Sequence, residues 1–201
     1  RKRILSYGAV QGLSLLIAPF SLTWVRRLLV SSSGWDIAGQ WQAIWKLSEI
    51  SISLLATALT AHLLPTMSKT ATFEERRALL NHTLLRVFLI AAAISALLMI
   101  TREWVLALAF DKSFISAAPA MAWQLIGDIF RMANWTLGLT LLARERLVQF
   151  AGSELLSVAL LIAFSSILIP RLGLSGATIA YLAEGSLLFV FLLVMARRAI
   201  R

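Results

Sequence analysis

The chain has 201 residues, 59% of them hydrophobic and 14% charged, with a mean hydropathy of +0.82. Soluble domains are about 45–50% apolar and about 25% charged, so a soluble globular domain is excluded as the class. The net charge of +9 is carried by Lys and Arg at the ends of apolar runs rather than on one basic face, and there is no cysteine. Nucleic-acid binding is therefore not expected, and disulfides, thiolate metal sites and cysteine nucleophiles are ruled out.

In chain order, six apolar runs reach the ~20 residues that a bilayer core requires: roughly 4–30, 41–65, 79–100, 118–143, 147–169 and 174–196. The fold class predicted is an all-α membrane protein, a six-transmembrane-helix bundle forming a single domain over 1–201. Arg1-Lys2-Arg3 precedes the first run without an initiator Met, which reads as a basic loop inside a longer protein. Ser31 to Asp36 is turn-rich and separates spans one and two. Pro65 is expected to close the second span, and Thr72, before Glu74 and Glu75 in the following loop, to act as a cap. Trp104 to Phe110 is too short to cross and is expected to lie at the interface. Ile169 to Gly173 predicts a tight turn between the last two spans.

With six spans, both ends lie on one side. That side carries eleven Lys and Arg residues, among them Arg1, Lys2, Arg3, Arg76, Arg77, Arg197 and Arg198, against five on the other. The positive-inside rule then puts both termini in the cytoplasm.

Charged side chains at mid-bilayer cost about 2.5–3.5 kcal/mol each on insertion scales, so they face protein or a wet cavity. Gln42, Lys46, Glu49, Ser53, Thr57 and Thr60 step by 4, 3, 4, 4 and 3, one face of the second helix. Two accounts fit this stripe. It is a cavity wall, or Lys46 pairs with Glu49 at i,i+3 while the hydroxyls bond back to their own helix. On the fourth span, Gln124, Asp128 and Arg131 step by 4 and 3, with Asn134 nearby. Here the rival is an intrahelical Asp128–Arg131 pair with a structural role. Glu154 and Ser157 make a smaller polar spot on the fifth span, and Glu184 beside Tyr181 has no partner in its own helix, which favours pairing across helices. From Val87 to Ile100 the third span is apolar and is expected to face lipid, with Arg86 snorkelling to its end.

His62 and His82 stand singly, without ligand spacing around them, so no metal site is expected. Most of the seven Trp residues suit an aromatic belt. Trp123 and Trp135 lie deeper, where packing or stacking on a sugar both fit. No Walker loop, G-x-G-x-x-G or G-x-S-x-G motif is present, so no enzyme, cofactor or catalytic residue is expected.

The stretch from Gly39-Gln40-Trp41-Gln42 through Glu49 to His62-Leu63-Leu64-Pro65-Thr66-Met67-Ser68-Lys69 resembles bacterial polysaccharide-lipid flippases. So does Ala122-Trp123-Gln124-Leu125-Ile126-Gly127-Asp128 with Arg131 following. These segments look like the eighth and tenth helices of O-antigen and lipid III flippases, in the superfamily that also holds the multidrug and toxin extrusion transporters. The resemblance runs from about Ile4 to Arg198. It implies twelve spans in two six-helix lobes around a cavity, this chain being the C-terminal lobe and its partner the N-terminal lobe of the same protein. It further implies a bacterial inner-membrane flippase for an undecaprenyl-diphosphate-linked oligosaccharide, working beside polysaccharide polymerase machinery. Under that resemblance Lys46 and Arg131 would attract diphosphate or acidic sugars. Gln42, Gln124, Ser53 and Thr57 would bond sugar hydroxyls, and Glu49, Asp128 and Glu154 would balance charge or bind a coupling cation. A cation-coupled drug antiporter and a non-transporting membrane scaffold are the alternatives.

Overall fold

The computed structural model describes residues 19–201, and all regular structure among them is helical. The first predicted span falls largely outside these residues; its described part is α1, helical over 19–33. Gly34 alone separates it from α2 (Trp35–Lys69), at φ 88°. That left-handed backbone suits a residue without a Cβ. The predicted turn over 31–36 thus narrows to one residue, and Ser31 and Ser32 stay helical by returning their hydroxyls to the Leu28 carbonyl.

Helix α2 runs straight through Pro65 to Lys69, so the proline does not end it. Nearby hydroxyls occupy carbonyls around the break: Thr66 donates to His62 O at 2.7 Å and Ser68 to Leu64 O at 2.8 Å. Pro65 itself leaves the Ala61 carbonyl without its helical donor, and this part of α2 borders an open groove lined by Ala61, His62, Pro65 and Thr66. Asp36 in the first turn and Lys69 in the last complement the helix dipole.

Thr72 opens α3 (Phe73–Ala109) as expected. Its hydroxyl accepts from Glu75 N–H and the Glu75 carboxylate accepts from Thr72 N–H, a reciprocal capping box. Arg76 laces this corner, donating to the carbonyls of Thr70 at 3.0 Å, of Ala71, and of Ile200 at 3.4 Å. Trp104 to Ala109 is the last part of α3 rather than a separate interfacial segment; Phe110 ends the helix. A run of apolar residues continuing an established helix extends it at little cost, because nucleation has already been met.

Asp111 caps the short 3₁₀ turn Lys112–Ala117, accepting from Ser113 N–H at 2.9 Å. That bond holds its carboxyl below the ordinary aspartate value. Helix α4 (Ala118–Ala143) matches the predicted span 118–143 at both ends, with Pro119 in its first turn where no donor is needed. The turn Arg144–Arg146 leads into α5 (Leu147–Ala199). This helix holds both of the last two predicted spans, because Gly173 at φ 55°, ψ −126° breaks it into two limbs. Pro170 lies within the first limb, so the expected five-residue turn is really Gly173 alone. The limbs fold back on each other: the Ser157 hydroxyl on the first donates to the Glu184 carboxyl on the second. At the reversal, a Cβ on Gly173 would lie 3.3 Å from Ser33 Oγ, which brings the two single-glycine turns side by side.

Helices α2, α3 and α5 are long and apolar enough to cross a membrane. Helix α4 is not among these three, since Asp128, Arg131, Gln124 and Asn134 dilute its apolar sequence. It is the most buried element, packed against α5, α3 and α2 in that order of extent. Within lipid, association depends on close backbone approach more than on water exclusion, and glycines provide it. A Cβ on Gly127 would collide with the Tyr181 ring, and one on Gly176 with Leu168 O. The outer face of α3 shows Leu85, Leu89, Ile90, Leu97, Ile100 and Leu108 exposed, as a lipid-facing helix would. Its Ser95 turns inward to donate to Leu125 O at 3.0 Å.

Candidate cavity and its charged wall

A cavity of about 680 Å³ opens between α1, α2, α4 and α5, lined mainly by apolar groups. Its polar lining comes from Ser48, Glu49, Ser53 and Thr60 on α2, Arg131 on α4, and Glu154 and Tyr181 on α5. A narrower crevice of about 100 Å³ continues between α4 and the two limbs of α5, past Arg131, Asn134, Trp135, Ser157 and Glu184. Arg131, Trp135 and Glu154 line both spaces.

Arg131 is exposed to this space. Its guanidinium lies over two aromatic faces, 5.6 Å from the Trp45 ring centre and 5.7 Å from that of Tyr181. Both distances fall within the ~6 Å over which a cation is drawn to a ring face. Trp45 and Tyr181 meet edge to face at 5.4 Å. The ion pairs found among the described residues do not join Arg131 to Asp128, so the intrahelical pair that the spacing allowed is not formed. Asp128 is 5% exposed and takes hydroxyl donors instead: Ser48 at 2.6 Å and Tyr181 at 2.9 Å, both on Oδ1. Gln124, fully buried, donates to Ser48 Oγ at 3.3 Å. Asn134 is buried as well and donates to the Gly185 carbonyl at 2.9 Å.

Of the residues expected to face cargo, the structure brings Glu49, Ser53, Arg131 and Glu154 onto the cavity. Gln124 and Asp128 are moved from its lining to a buried layer behind it. This follows from α4 packing on three sides, where an unpaired polar group would be costly and each must reach another helix. On α2, Lys46 and Glu49 form an ion pair at 2.7 Å with side chains 58% and 51% exposed. Gln42 accepts from the Arg26 guanidinium on α1. Thr57 returns its hydroxyl to Ser53 O at 2.8 Å, Ser53 to Ile50 O at 2.9 Å, and Thr60 to Ala56 O at 2.7 Å. The stripe therefore has both properties weighed for it. It bonds back to its own helix, and Glu49, Ser53 and Thr60 still line the cavity.

Three participants are not singled out by the spacing argument. Ser48 lies on the buried row Trp41, Ile44, Ser48 of α2, where a lone serine in an apolar row signals a tertiary hydrogen bond. Tyr181 occupies the same kind of row with Ala177, Glu184 and Leu188 on α5, and a phenol there needs an acceptor. Trp45 lies beside Trp41 in a Trp-rich turn. Trp135, for which packing and stacking both fit the sequence, lines the cavity with its indole N–H donated to Thr60 Oγ1 at 3.0 Å. No group of three or more His, Asp or Glu suited to a metal ion occurs among the described residues.

The architecture defines the class: the chain superposes on the crystal structure of a MATE point mutant with a TM-score of 0.71 at 17% identity. The overlap takes in 99% of this chain and 46% of that one, so the fold is that of half a MATE protein. The sequence is homologous to the lipid III flippases of Escherichia coli (strain K12) and Shigella flexneri, at 28% identity over 165 residues in each case. The match takes in 82% of this chain and 40% of each relative, so the chain spans well under half the length of the curated proteins it matches. No family model matches the sequence.

Proposed function

We propose that this chain is one lobe of a flippase that moves an undecaprenyl-diphosphate-linked oligosaccharide across a bacterial inner membrane by alternating access. The observation that carries the proposal is the arginine of α4, offered to a cavity of about 680 Å³ and steadied there by two aromatic rings. Homology to lipid III flippases supports the cargo class. A guanidinium matches a diphosphate with a fork of donors. Arg131 is the primary anion contact in this scheme, and Lys46, already paired with Glu49, is secondary. Trp135 offers a ring face one helical turn beyond Arg131, about 6 Å along the axis. That spacing suits a sugar attached directly to a diphosphate. Glu49, Ser53, Thr57 and Gln42 serve hydroxyls of the remaining sugars, and Glu154 balances the arginine between cargoes. Both ends of the segment are proposed to be cytoplasmic, with the other lobe completing the cavity.

The test is transport by the full-length protein in proteoliposomes, using a fluorescent undecaprenyl-diphosphate oligosaccharide. Arg131→Ala is expected to lower the flipping rate at least tenfold and Lys46→Ala about threefold. Normal rates in both variants would remove the proposed mechanism.

A cation-coupled antiporter lobe is the second reading, favoured by the two carboxylates, Glu154 and Glu184, on the crevice beside Arg131. It requires efflux of organic cations driven by an ion gradient. Restoration of surface polysaccharide in a flippase-null strain would count for the flippase and against both an antiporter and a scaffold.

A further inference from the structure

We propose that Asp128 is a positioning residue: through Tyr181 it holds the Arg131 guanidinium at the cavity wall, without touching cargo itself. The inference rests on Arg131 facing the cavity and borrows the flippase reading only for one of its two assays. A flexible arginine stem can place its head in many rotamers, so a fixed guanidinium needs fixed surroundings. Here the surroundings are two rings, and the one from α5 is tethered. The Tyr181 hydroxyl donates to Asp128 Oδ1 at 2.9 Å, and the same oxygen accepts from Ser48 of α2 at 2.6 Å.

The tyrosine ring is confined on its other sides too. Gly127, immediately before Asp128, leaves room for the ring that any side chain would occupy. The Trp45 ring closes on it from α2 at 5.4 Å. Three helices thus converge on one phenol, and the phenol carries the guanidinium on its face at 5.7 Å. Asp128 sits three residues before Arg131 yet makes no ion pair with it among the described residues. Its two hydroxyl bonds are directed at elements on either side of α4, which is the geometry of a tether.

This account differs from a charge-balancing one in what asparagine should do. An asparagine in place of Asp128 would keep an oxygen acceptor for both hydroxyls and lose the negative charge. The variants are made in the full-length protein, purified in detergent and checked by elution for folded protein. One assay follows farnesyl diphosphate binding by tryptophan fluorescence. The other follows phenylglyoxal modification of Arg131 by peptide mass spectrometry. Asp128→Asn is expected to keep binding within twofold and the modification rate unchanged. Asp128→Leu and Tyr181→Leu are expected to weaken binding at least tenfold and to raise the modification rate severalfold. Tyr181→Phe keeps the ring, loses the tether and should fall between, at about threefold in both assays; it also serves if the leucine variants do not fold. Asp128→Asn as damaging as Asp128→Leu would overturn the proposal, and so would an unchanged modification rate in Tyr181→Phe. Should the wild type fail to bind farnesyl diphosphate, the cargo reading loses its support, while the modification rates still decide whether Asp128 positions Arg131.

Discussion

The polar stripes of α2 and α4 follow almost the same sequence rhythm, yet they are satisfied in opposite ways. On α2 the partners are mostly local, apart from Gln42 accepting from Arg26 of α1 and Thr60 from Trp135 of α4. Lys46 finds Glu49 three residues on, and Ser53, Thr57 and Thr60 bond carbonyls within their own helix. On α4 they are distant: Asp128 bonds α2 and α5, Gln124 bonds α2, and Asn134 bonds the second limb of α5. Helical periodicity tells which residues share a face. It does not tell whether that face meets open space or another helix, and this decides whether a polar group folds back on itself or joins two elements. Substitutions should therefore be severe in the α4 stripe and mild in the α2 stripe.

The largest expected effect comes from closing the space beside the network. Gly127→Leu puts a side chain where even a Cβ meets the Tyr181 ring. Overpacking of this kind costs about 1–3 kcal/mol and occasionally more, and size-exclusion profiles with melting in detergent should show most of the protein lost. Ser48→Ala comes next, removing one of the two donors on the buried Asp128. A drop in stability of about 1–3 kcal/mol is expected. A double-mutant cycle with Tyr181→Phe should show coupling of at least about 0.5 kcal/mol, because both hydroxyls share one oxygen. Additive effects would mean that the two bonds act separately. Thr72→Ala, outside both stripes, calibrates the scale: loss of the α3 cap should cost about 1 kcal/mol. The smallest effects belong to the polar stripe of α2. Lys46→Ala, in an exposed pair, should change stability by no more than about 0.5 kcal/mol, and Thr57→Val by a similar amount. A loss above about 2 kcal/mol in either, well beyond what an exposed pair supplies, would erase the contrast between the helices.

Much of the scaffold was legible because its signals are local. The span 118–143 reappears as α4 at both ends, Thr72 caps α3, and the apolar outer face of α3 is exposed as expected. The discrepancies arose where a local signal had a local remedy. Pro65 is carried within α2 and Trp104 to Ala109 within α3, each as the continuation of a helix already formed. Turn-rich stretches each collapsed to one glycine. The cavity was half legible: Arg131 and Glu49 were found by spacing, while the support behind Arg131 depends on Ser48 and Tyr181, which are 133 positions apart in the chain. Only the packing of α4 between α2 and α5 brings them onto one oxygen.

The pair of single-glycine reversals has a mechanical consequence. Gly173 lies against Ser33, the residue before Gly34, and neither glycine leaves slack between the helices it joins. The third connection at their end of the bundle, 110–117, is longer but is tied to the start of α2, where the Gln40 amide donates to Ser116 Oγ at 3.0 Å. Two arms joined through a single residue work like a pair of tongs: the joint fixes their spacing, and any spreading of the arms has to come at their far ends.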